Sequence, residues 1–404
     1  MIIGIPKETL AGEDRVAMTP SNVEQLCGRG CQVLIQSGAG RAANYTDRNY
    51  RKAGAEVLLD RDDIFARAEI ITQVNVITDE SENASTQLRR GQVVIGLMDP
   101  LGNPKQALSL AARNITSIAM ELVPRISRAQ SMDALSSMAT LAGYKAVLLG
   151  ADASARIFPM LMTAAGTLTP ARVFIMGVGV AGLQAAATAK RLGAVVEAYD
   201  VRPAAREQIL SVGAKPIELD LETDATEGTG GYAKAQGEDF LRRQREQMTE
   251  VLAQQDIVIT TAAIPGAKSP ILITKEMVAG MKPGAVIIDL AAERGGNCEL
   301  TRCGETVVEQ GVIIIGPDNI AATVPTHASQ MYGKNIENLL NHLIDASGML
   351  NLDFDDEIIQ QTVMTHEGIV CHERIRGLLA LPTLALSTSD FLELESTDKI
   401  QEVA

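Results

Sequence analysis

The chain has 404 residues, enough for two or three domains with sizeable cores, and a formal net charge of −14. This negative charge argues against nucleic acid as a partner, because binding a phosphate backbone needs basic surfaces. No apolar run approaches the roughly 20 residues of a spanning helix, and the N-terminus lacks the basic region of a signal peptide. The five cysteines are scattered, which fits a reducing cytoplasm. We expect no direct membrane insertion and, because neither close cysteine pair has histidines at zinc spacing, no metal site.

Strand and helix patterns alternate through the first third of the chain. The predicted strands cover residues 2–6, 31–36, 55–59, 69–74, 92–97 and 115–120, and the predicted helices cover residues 21–26, 46–52, 62–67 and 105–112. Ser21 is the expected N-cap of the first helix. The alternation predicts an α/β unit with a mostly parallel sheet, and this stretch has no phosphate-binding loop of its own.

A polar loop follows the last of these strands. It runs from Glu121 to Asp133 and precedes a long helical pattern over about residues 134–158. Loops that follow strands carry ligand contacts in such sheets, and the arginine, glutamine and aspartate side chains of this loop could bind phosphate, amide and ribose groups. The alternative is a solvated loop with a helix cap by Ser131 or Asp133, and spacing alone does not decide between the two.

A glycine fingerprint stands at the centre of the chain. The apolar strand Val173–Met176 turns at Gly177, which permits a tight turn. Gly179 lets the backbone approach a pyrophosphate, and Gly182 lets helix and strand pack closely. The helix start, with Val180 and Ala181, supplies free N–H groups for the phosphates. Asp200 ends the next strand, where an acid binds a ribose 2′-OH. These features together predict a dinucleotide site; the alternative is a glycine turn without a ligand.

The remaining patterns complete a dinucleotide fold of about six strands. The predicted strands are 195–199, 215–219, 256–260, 285–290 and 312–315, the predicted helices are 203–212, about 239–253, 274–281 and 329–344, and a glycine-rich mobile loop is expected over 220–238. The predicted fold is α/β, with two Rossmann-like domains built on parallel sheets, the second a full dinucleotide-binding fold inserted into the discontinuous first. The predicted domains are 1–136 with 320–378, 137–319, and an acidic tail over 379–404.

Four segments together resemble one family. They are residues 124–137, the fingerprint 177–185, the loop 230–234 and the loop 260–266. The chain is similar over about residues 1–375 to the soluble NAD(H)-binding component of proton-translocating NAD(P) transhydrogenase, within the alanine dehydrogenase/transhydrogenase family. The resemblance is to the split form, in which this component is a separate polypeptide.

The resemblance implies a Si-specific transhydrogenase that is catalytic only with its partner subunits. NADH on this chain would give hydride to NADP⁺ in the NADP(H) site of a partner, and a membrane-spanning component would couple the step to proton movement. The chain would be a homodimer, cytoplasmic, and peripheral at the inner (plasma) membrane through its partners.

The resemblance also implies roles for individual residues. Arg125, Gln130, Asp133 and Ser136 would position the nicotinamide and its ribose. The implied NAD(H) contacts are Arg125, Ile126, Ser127, Gln130, Ser131, Met132, Asp133, Gly177, Gly179, Val180, Ala181, Gly182, Asp200, Val201, Arg202, Gly231, Tyr232, Gln244 and Ala263. No side chain has to take a proton from carbon, because hydride transfer between nicotinamides is mostly a matter of positioning.

Two other functions need to be considered. Alanine dehydrogenase has the same layout and also begins with a Glu-x-Arg-Val-Ala segment, so Arg15 could bind a carboxylate, or it could pair with Glu13. That enzyme needs a lysine near position 75 and a histidine near position 98, where this chain has Asn75 and Met98. The other alternative is a non-catalytic regulator that senses nucleotide.

Overall fold

The chain divides into two compact units. The structure is a computed structural model that describes residues 1–76, 87–219, 238–345 and 348–384. The first unit comprises Met1–Met138 and Ala322–Ala404, and the second comprises Ala139–Ala321. The second unit is therefore an insertion in the sequence of the first.

The strands alternate with helices in both units. In chain order the strands are β1 (Ile2–Ile5), β2 (Gln32–Gln36), β3 (Glu56–Leu58), β4 (Ile70–Asn75), β5 (Val93–Leu97), β6 (Thr116–Ala119), β7 (Leu161–Thr163), β8 (Gly166–Leu168), β9 (Arg172–Met176), β10 (Val195–Tyr199), β11 (Lys215–Pro216), β12 (Ile257–Thr260), β13 (Val286–Asp289), β14 (Thr306–Glu309), β15 (Val312–Ile315), β16 (Val363–His366) and β17 (Ile369–Val370).

The α-helices are named in the same way. They are α1 (Pro20–Gly28), α2 (Asp47–Lys52), α3 (Arg61–Arg67), α4 (Lys105–Ala112), α5 (Ala134–Ala153), α6 (Val180–Arg191), α7 (Ala205–Ser211), α8 (Glu238–Leu252), α9 (Lys275–Ala279), α10 (Pro325–Leu343), α11 (Glu357–Thr362) and α12 (Glu373–Leu378). Short 3-10 turns occur in several loops.

The sheet of the first unit is mixed, not purely parallel as predicted. Its strand order is β17-β16-β6-β5-β4-β1-β2-β3. Neighbours from β1 to β6 pair in parallel, but β16 pairs antiparallel with β6 and with β17. The connection between β16 and β17 has only two residues, Glu367 and Gly368, with φ of +46° and +80°. Such a turn joins antiparallel strands, so this edge departs from the parallel pattern.

The second unit contains a seven-stranded sheet in the order β11-β10-β9-β12-β13-β15-β14. Every pair is parallel except β14 with β15, which another two-residue turn joins. Along β9, Val173 and Ile175 pack into one apolar core, while Phe174 and Met176 pack into the core on the other face. Because successive strand residues point to opposite faces, the sheet is covered on both sides. The strand order reverses at β9, and open α/β sheets bind ligands in the crevice at such a switch point.

Helix α5 is shorter than the sequence pattern predicts. It ends at Ala153, before Phe158 and Pro159, where the pattern had placed its end near Phe158. Phe158 instead packs in the second unit's core with 5% of its surface exposed, and Pro159 cannot continue a helix. The hairpin of β7 and β8 follows, an element that the sequence did not predict.

Among the described helices, α5 alone has the length and apolar composition that could cross a membrane. It has 20 residues and a mean hydropathy of 1.2, and 28% of that window is buried. The sequence-based statement that no apolar run approaches this length was therefore too strong. Length and composition are weak support for a membrane span, because core helices of water-soluble proteins satisfy the same criterion.

The first helix begins one residue earlier than predicted. Its N-cap is Thr19 and not Ser21, because Pro20 occupies the first helical position, where its fixed φ fits and its missing N–H costs nothing. The backbone N–H of Thr19 donates to the side-chain oxygen of Asn22 at 2.8 Å. This reciprocal cap fixes the start of α1.

Candidate functional site

The glycine turn of the second unit is built as the fingerprint predicts. After β9 the chain turns at Gly177, whose φ is +94°. Its backbone N–H donates to the carbonyl of Tyr199 at 2.9 Å, which ties the turn to the end of β10. A Cβ on Gly182 would lie 1.9 Å from the Gly177 carbonyl oxygen. Helix α6 can therefore approach the turn only with glycine at position 182.

Gly179 leaves open space at the start of α6. It is the N-cap of the helix, and a Cβ placed on it would have no atom of the described chain within 4 Å. The next residue, Val180, is exposed, and Ala181 is exposed as well. The first N–H groups of a helix have no intrahelical partners, and the helix dipole favours an anion there. The space beside Gly179 therefore fits a pyrophosphate.

Asp200 is committed to donors of its own unit. Its Oδ1 accepts hydrogen bonds from the backbone N and the Nε of Arg202, both at 2.9 Å. Its Oδ2 accepts from the backbone N of Val178 at 2.7 Å and from Arg202 Nη2 at 2.9 Å. A carboxylate has about four acceptor positions. A ribose hydroxyl that binds Asp200 must therefore share or displace an Arg202 donor, while Val201 lies half-buried between them.

In the first unit, the loop after β6 brings together Arg125, Asp133 and Ser136. The Asp133 carboxylate accepts from the backbone N of Ser136 at 2.8 Å and from its hydroxyl at 2.6 Å. Arg125 Nε lies 3.9 Å from Asp133 Oδ2. The bond to the backbone of Ser136 caps α5, so the capping role left open for Asp133 is present. The same carboxylate also holds a hydroxyl and a guanidinium close together.

This loop is anchored from below. Residues Ser127–Met132 form a 3-10 helix whose Ala129 and Met132 are buried. The Ser131 carbonyl accepts from the side-chain amides of Asn335 at 2.9 Å and Asn338 at 3.0 Å, both on α10. The loop therefore has a fixed backbone.

A second anchor joins the loop to α11. Arg128 makes two hydrogen bonds, of 2.8 and 2.9 Å, to Asp356. Asp356 is itself the N-cap of α11, since its carboxylate accepts from the backbone N of Ile358 at 2.7 Å. Arg128, one of the two arginines that the sequence singled out, is thus structural.

The predicted contact side chains of this loop differ in exposure. Ser127, Gln130 and Ser131 lie at the exposed side of the loop, and Ile126 is more exposed than the buried Met132. The Gln130 side chain makes no hydrogen bond to any part of the chain that the structure describes. A fixed backbone that presents an exposed amide is an arrangement suited to holding a planar ligand.

The loop after β12 is tied to the glycine turn. The backbone N of Thr261 donates to the Met176 carbonyl at 2.9 Å, and its hydroxyl donates to the Gly177 carbonyl at 2.8 Å. Ala263, the predicted nicotinamide-side contact, is exposed two residues further on. Sequence reasoning missed Asn297, whose buried amide binds this loop; the Gly295-Gly296 pair before it was the available signal.

Gln244 lies on α8 and is buried. Burial raises the pKa of Tyr199 to about 12, an effect that the Gln244 side chain partly opposes. Neither Gln244 Oε1 nor the Tyr199 hydroxyl oxygen has a hydrogen-bond partner of good geometry among the described residues. The predicted contacts Gly231 and Tyr232 lie outside the described residues.

Comparison with known proteins places this arrangement in one family. The domains described as "Alanine dehydrogenase/PNT, N-terminal domain" and "Alanine dehydrogenase/PNT, C-terminal domain" match residues 4–142 and 146–373. The chain belongs to the alanine dehydrogenase/PNT family. The family named from the sequence is thereby confirmed.

Within the alanine dehydrogenase/PNT family, transhydrogenase subunits are more similar to this chain than alanine dehydrogenases are. The first portion of the split NAD(P) transhydrogenase subunit alpha of Rhodospirillum rubrum is 47% identical over 93% of this chain and 99% of its own length. A crystal structure of transhydrogenase from Sinorhizobium meliloti has a TM-score of 0.80 at 42% identity, covering 93% of this chain and 100% of that one. Alanine dehydrogenase of Mycolicibacterium smegmatis is 29% identical over 95% of this chain and 98% of its own length.

Arg15, the family residue that could bind a carboxylate, is paired inside the first unit. Its Nε and Nη2 donate to the two carboxylate oxygens of Glu13 at 2.7 and 2.6 Å, and both side chains are buried. Asn75, where the dehydrogenase needs a lysine, donates to Glu13 Oε2 at 2.6 Å. Met98, where it needs a histidine, is buried with 5% of its surface exposed. These side chains offer neither a free lysine cation nor a proton donor at those two positions.

A cavity of about 450 Å³ opens beside this ion pair, and Glu8 is among the residues that line it. Burial raises the pKa of Glu8 to about 7, although the carboxylate accepts from the backbone N of Val74 at 2.7 Å. Within the portion of the chain that the structure describes, no group of three or more His, Cys, Asp or Glu side chains could hold a metal ion.

Proposed function

We propose that this chain is the NAD(H)-binding subunit of a proton-translocating NAD(P)⁺ transhydrogenase. The observation that carries the proposal is the glycine turn, with open space beside Gly179 at a helix N-terminus and Asp200 at the end of the next strand. The 47% identity to a portion of a transhydrogenase subunit alpha supports the choice of this reaction over others in the family.

The second unit supplies the binding half of the site. The N–H groups at the start of α6 bind the pyrophosphate, and Asp200 with Arg202 binds the adenosine ribose. Gly231, Tyr232 and Gln244 are proposed to close over the nucleotide. Most of the binding energy for NADH comes from these contacts.

The first unit supplies the positioning half. NADH, when bound, donates hydride from C4 of its ring and becomes NAD⁺, and C4 of NADP⁺ accepts the hydride. No proton has to be taken up or released at carbon, so the chain's task is to orient one ring and exclude water. Arg125, Gln130, Asp133 and Ser136 are suited to this task because a doubly anchored loop holds them.

The acceptor site and the proton pathway belong to other polypeptides. We propose that NADP(H) binds to a partner subunit, that a membrane-spanning subunit couples transfer to proton movement, and that this chain is cytoplasmic and peripheral through those partners. The Si specificity and the dependence on partners belong to the same proposal. The name of the Rhodospirillum rubrum relative, which describes one portion of a subunit alpha, supports a multi-subunit assembly.

We also propose a homodimer formed through the β7–β8 hairpin. Met160, Leu161, Met162 and Leu168 are 58, 45, 76 and 52% exposed, although all are large and apolar. No charged residue occurs from position 157 to position 171 in a chain of net charge −14. Exposed apolar patches mark interaction sites, and an uncharged surface lets two acidic copies meet without local repulsion. A second copy covers the hairpin in an isologous contact.

A mixing assay tests the proposed activity. This protein is combined with the purified NADP(H)-binding component of a related transhydrogenase, NADPH and an NAD⁺ analogue whose reduced form absorbs at its own wavelength. Reduction of the analogue only when both proteins are present is the expected result. No reduction, with both nucleotides shown to bind, would contradict the proposal and favour a nucleotide-sensing regulator.

A further inference from the structure

The side-chain amide of Asn297 holds both backbone groups of one residue in the loop after β12. Asn297 Oδ1 accepts from the backbone N of Ala262 at 3.0 Å, and Nδ2 donates to the Ala262 carbonyl at 2.8 Å. Nδ2 also donates to the Pro270 carbonyl at 2.9 Å. Asn297 is completely buried. A side chain here takes the place of a neighbouring strand, because the loop has left the sheet and its backbone groups still need partners.

Asn297 is in turn fixed by Asp289, the last residue of β13. Asp289 Oδ2 accepts from the backbone N of Asn297 at 2.7 Å, and its Oδ1 accepts from the hydroxyl of Thr260 at 2.9 Å. Asp289 is completely buried and makes further hydrogen bonds to the same segment. The ends of β12 and β13 are therefore linked to the β12 loop through Asp289 and Asn297.

The turn before Asn297 is shaped to deliver its amide. Gly295 and Gly296 have φ of +92° and +79°, a region that disfavours residues with a side chain. A Cβ on Gly296 would lie 2.8 Å from Asp289 Oδ2. Two consecutive left-handed glycines let the chain reverse closely around the Asp289 carboxylate, and this reversal points Asn297 at Ala262.

The loop that Asn297 holds borders the switch point of the sheet. β12 is next to β9, where the strand order reverses, and the Thr261 hydroxyl donates to the Gly177 carbonyl of the glycine turn. Ala263 is exposed and directly follows Ala262, which Asn297 fixes at both backbone groups. The position of Ala263 is therefore set by the Asp289–Asn297 link.

We propose that Asn297 is a positioning residue for hydride transfer, acting through Ala262 to fix the nicotinamide-side contact Ala263. This inference rests on the proposed function. Its consequence is that loss of the amide displaces the contact surface for the ring and leaves the pyrophosphate and ribose contacts in place. A displacement near 1 Å can lower a transfer rate about 100-fold.

The test compares Asn297→Ala with Asn22→Ala, both assayed as the full chain reconstituted with an NADP(H)-binding component. Asn22 is equally a buried asparagine that binds backbone, but it caps α1 in the first unit. Single-turnover hydride transfer, equilibrium NADH binding and thermal melting are measured for each. Asn297→Ala should lower the transfer rate at saturating NADH by at least about 10-fold with a change in NADH Kd below about threefold. Asn22→Ala should lower the melting temperature and leave the transfer rate of the folded protein within about twofold.

A second variant covers the case in which Asn297→Ala does not fold. Thr261→Val removes only the bond from the loop to the Gly177 carbonyl and nearly preserves volume; it should also lower transfer more than NADH binding. Wild-type transfer rates in the folded variants, or a loss no larger than that of Asn22→Ala, would overturn the inference alone. If the wild-type protein transfers no hydride, the proposed function falls and this inference falls with it.

Discussion

Asp200 and Arg202 form an ion pair with two parallel contacts, Nε to Oδ1 and Nη2 to Oδ2, both of 2.9 Å. The carboxylate therefore carries its own cation next to the place where the adenosine ribose is proposed to bind. A 2′-hydroxyl can donate to this carboxylate, whereas a 2′-phosphate is repelled by it and attracted by the guanidinium.

We expect the isolated protein to prefer NAD(H) over NADP(H) by at least about 1.4 kcal/mol, a factor of ten. Arg202→Met should widen the preference, because it removes the cation and leaves the acid. Calorimetric titration with both nucleotides measures this, with Arg206→Met, an exposed arginine four positions on, as the matched control. Equal binding of NADPH and NADH by the wild-type protein would contradict the assignment of Asp200.

Two glycines of the fingerprint should respond differently to alanine. Gly179→Ala should leave the free energy of unfolding within about 0.5 kcal/mol, because its Cβ would enter open space, but it should weaken NADH binding at least about tenfold by filling the space for the pyrophosphate. Gly182→Ala should cost about 1–3 kcal/mol of stability, because its Cβ would clash with the Gly177 carbonyl. Urea unfolding and NADH titration of both variants measure the contrast. Normal NADH binding by Gly179→Ala would place the pyrophosphate elsewhere.

The chain should have no amino-acid dehydrogenase activity. Arg15 is occupied by Glu13, Asn75 stands where a lysine is needed and Met98 where a proton donor is needed. Incubation with pyruvate, ammonia and NADH should leave the absorbance of NADH unchanged, while an alanine dehydrogenase in the same buffer consumes it. Steady consumption by this protein at ordinary enzyme rates would reverse the choice between the two reactions.

The sequence predicted the centre of the second unit best. The pattern from Val173 to Asp200 combines a short apolar strand, glycines at fixed offsets and an alanine-rich helix, and all of these signals are local. The structure has β9, the turn at Gly177 and α6 in that order. Local signals suffice here because turn geometry and strand burial are determined by adjacent residues.

The features that the sequence missed depend on distant partners. β16 pairs with β6, nearly 250 positions earlier, and nothing near Val363 reveals that neighbour. The strand predicted over 215–219 is reduced to Lys215–Pro216 at the edge of its sheet. The role of Asn297 was missed for the same reason, because its hydrogen-bond partner Ala262 is 35 positions away. A local pattern can predict the turn at Gly295 and Gly296 but not the backbone it reaches.

The β7–β8 hairpin should weaken self-association when charged. In the double variant Met162→Lys with Leu168→Lys, an isologous contact would bring like charges together, so the dimer should dissociate at least about tenfold more readily. Sedimentation velocity over a range of concentrations measures this. Val308→Lys, which changes a residue 65% exposed on the edge strand β14, is the control. A monomeric wild-type protein, or a double variant as dimeric as wild type, would contradict the proposal.

Gln130 provides the variant that separates positioning from binding. Gln130→Asn shortens the exposed amide by about one methylene, and the anchored loop behind it cannot follow. We expect hydride transfer in the reconstituted complex to fall at least about 10-fold while NADH affinity changes less than about threefold. Asp200→Ala should show the reverse, with weak NADH binding and a rate that partly recovers at saturating NADH.

Direct transfer of hydride from NADH on this chain to NADP⁺ on a partner is measured most directly with isotope. NADH deuterated at C4 is bound to the wild-type protein and mixed in a single turnover with an NADP(H)-binding component that carries NADP⁺, and the NADPH formed is analysed by mass spectrometry. The account predicts that the NADPH carries the deuterium and that Gln130→Asn forms it at least about 10-fold more slowly. NADPH without deuterium, or no NADPH although both nucleotides are bound, would contradict it.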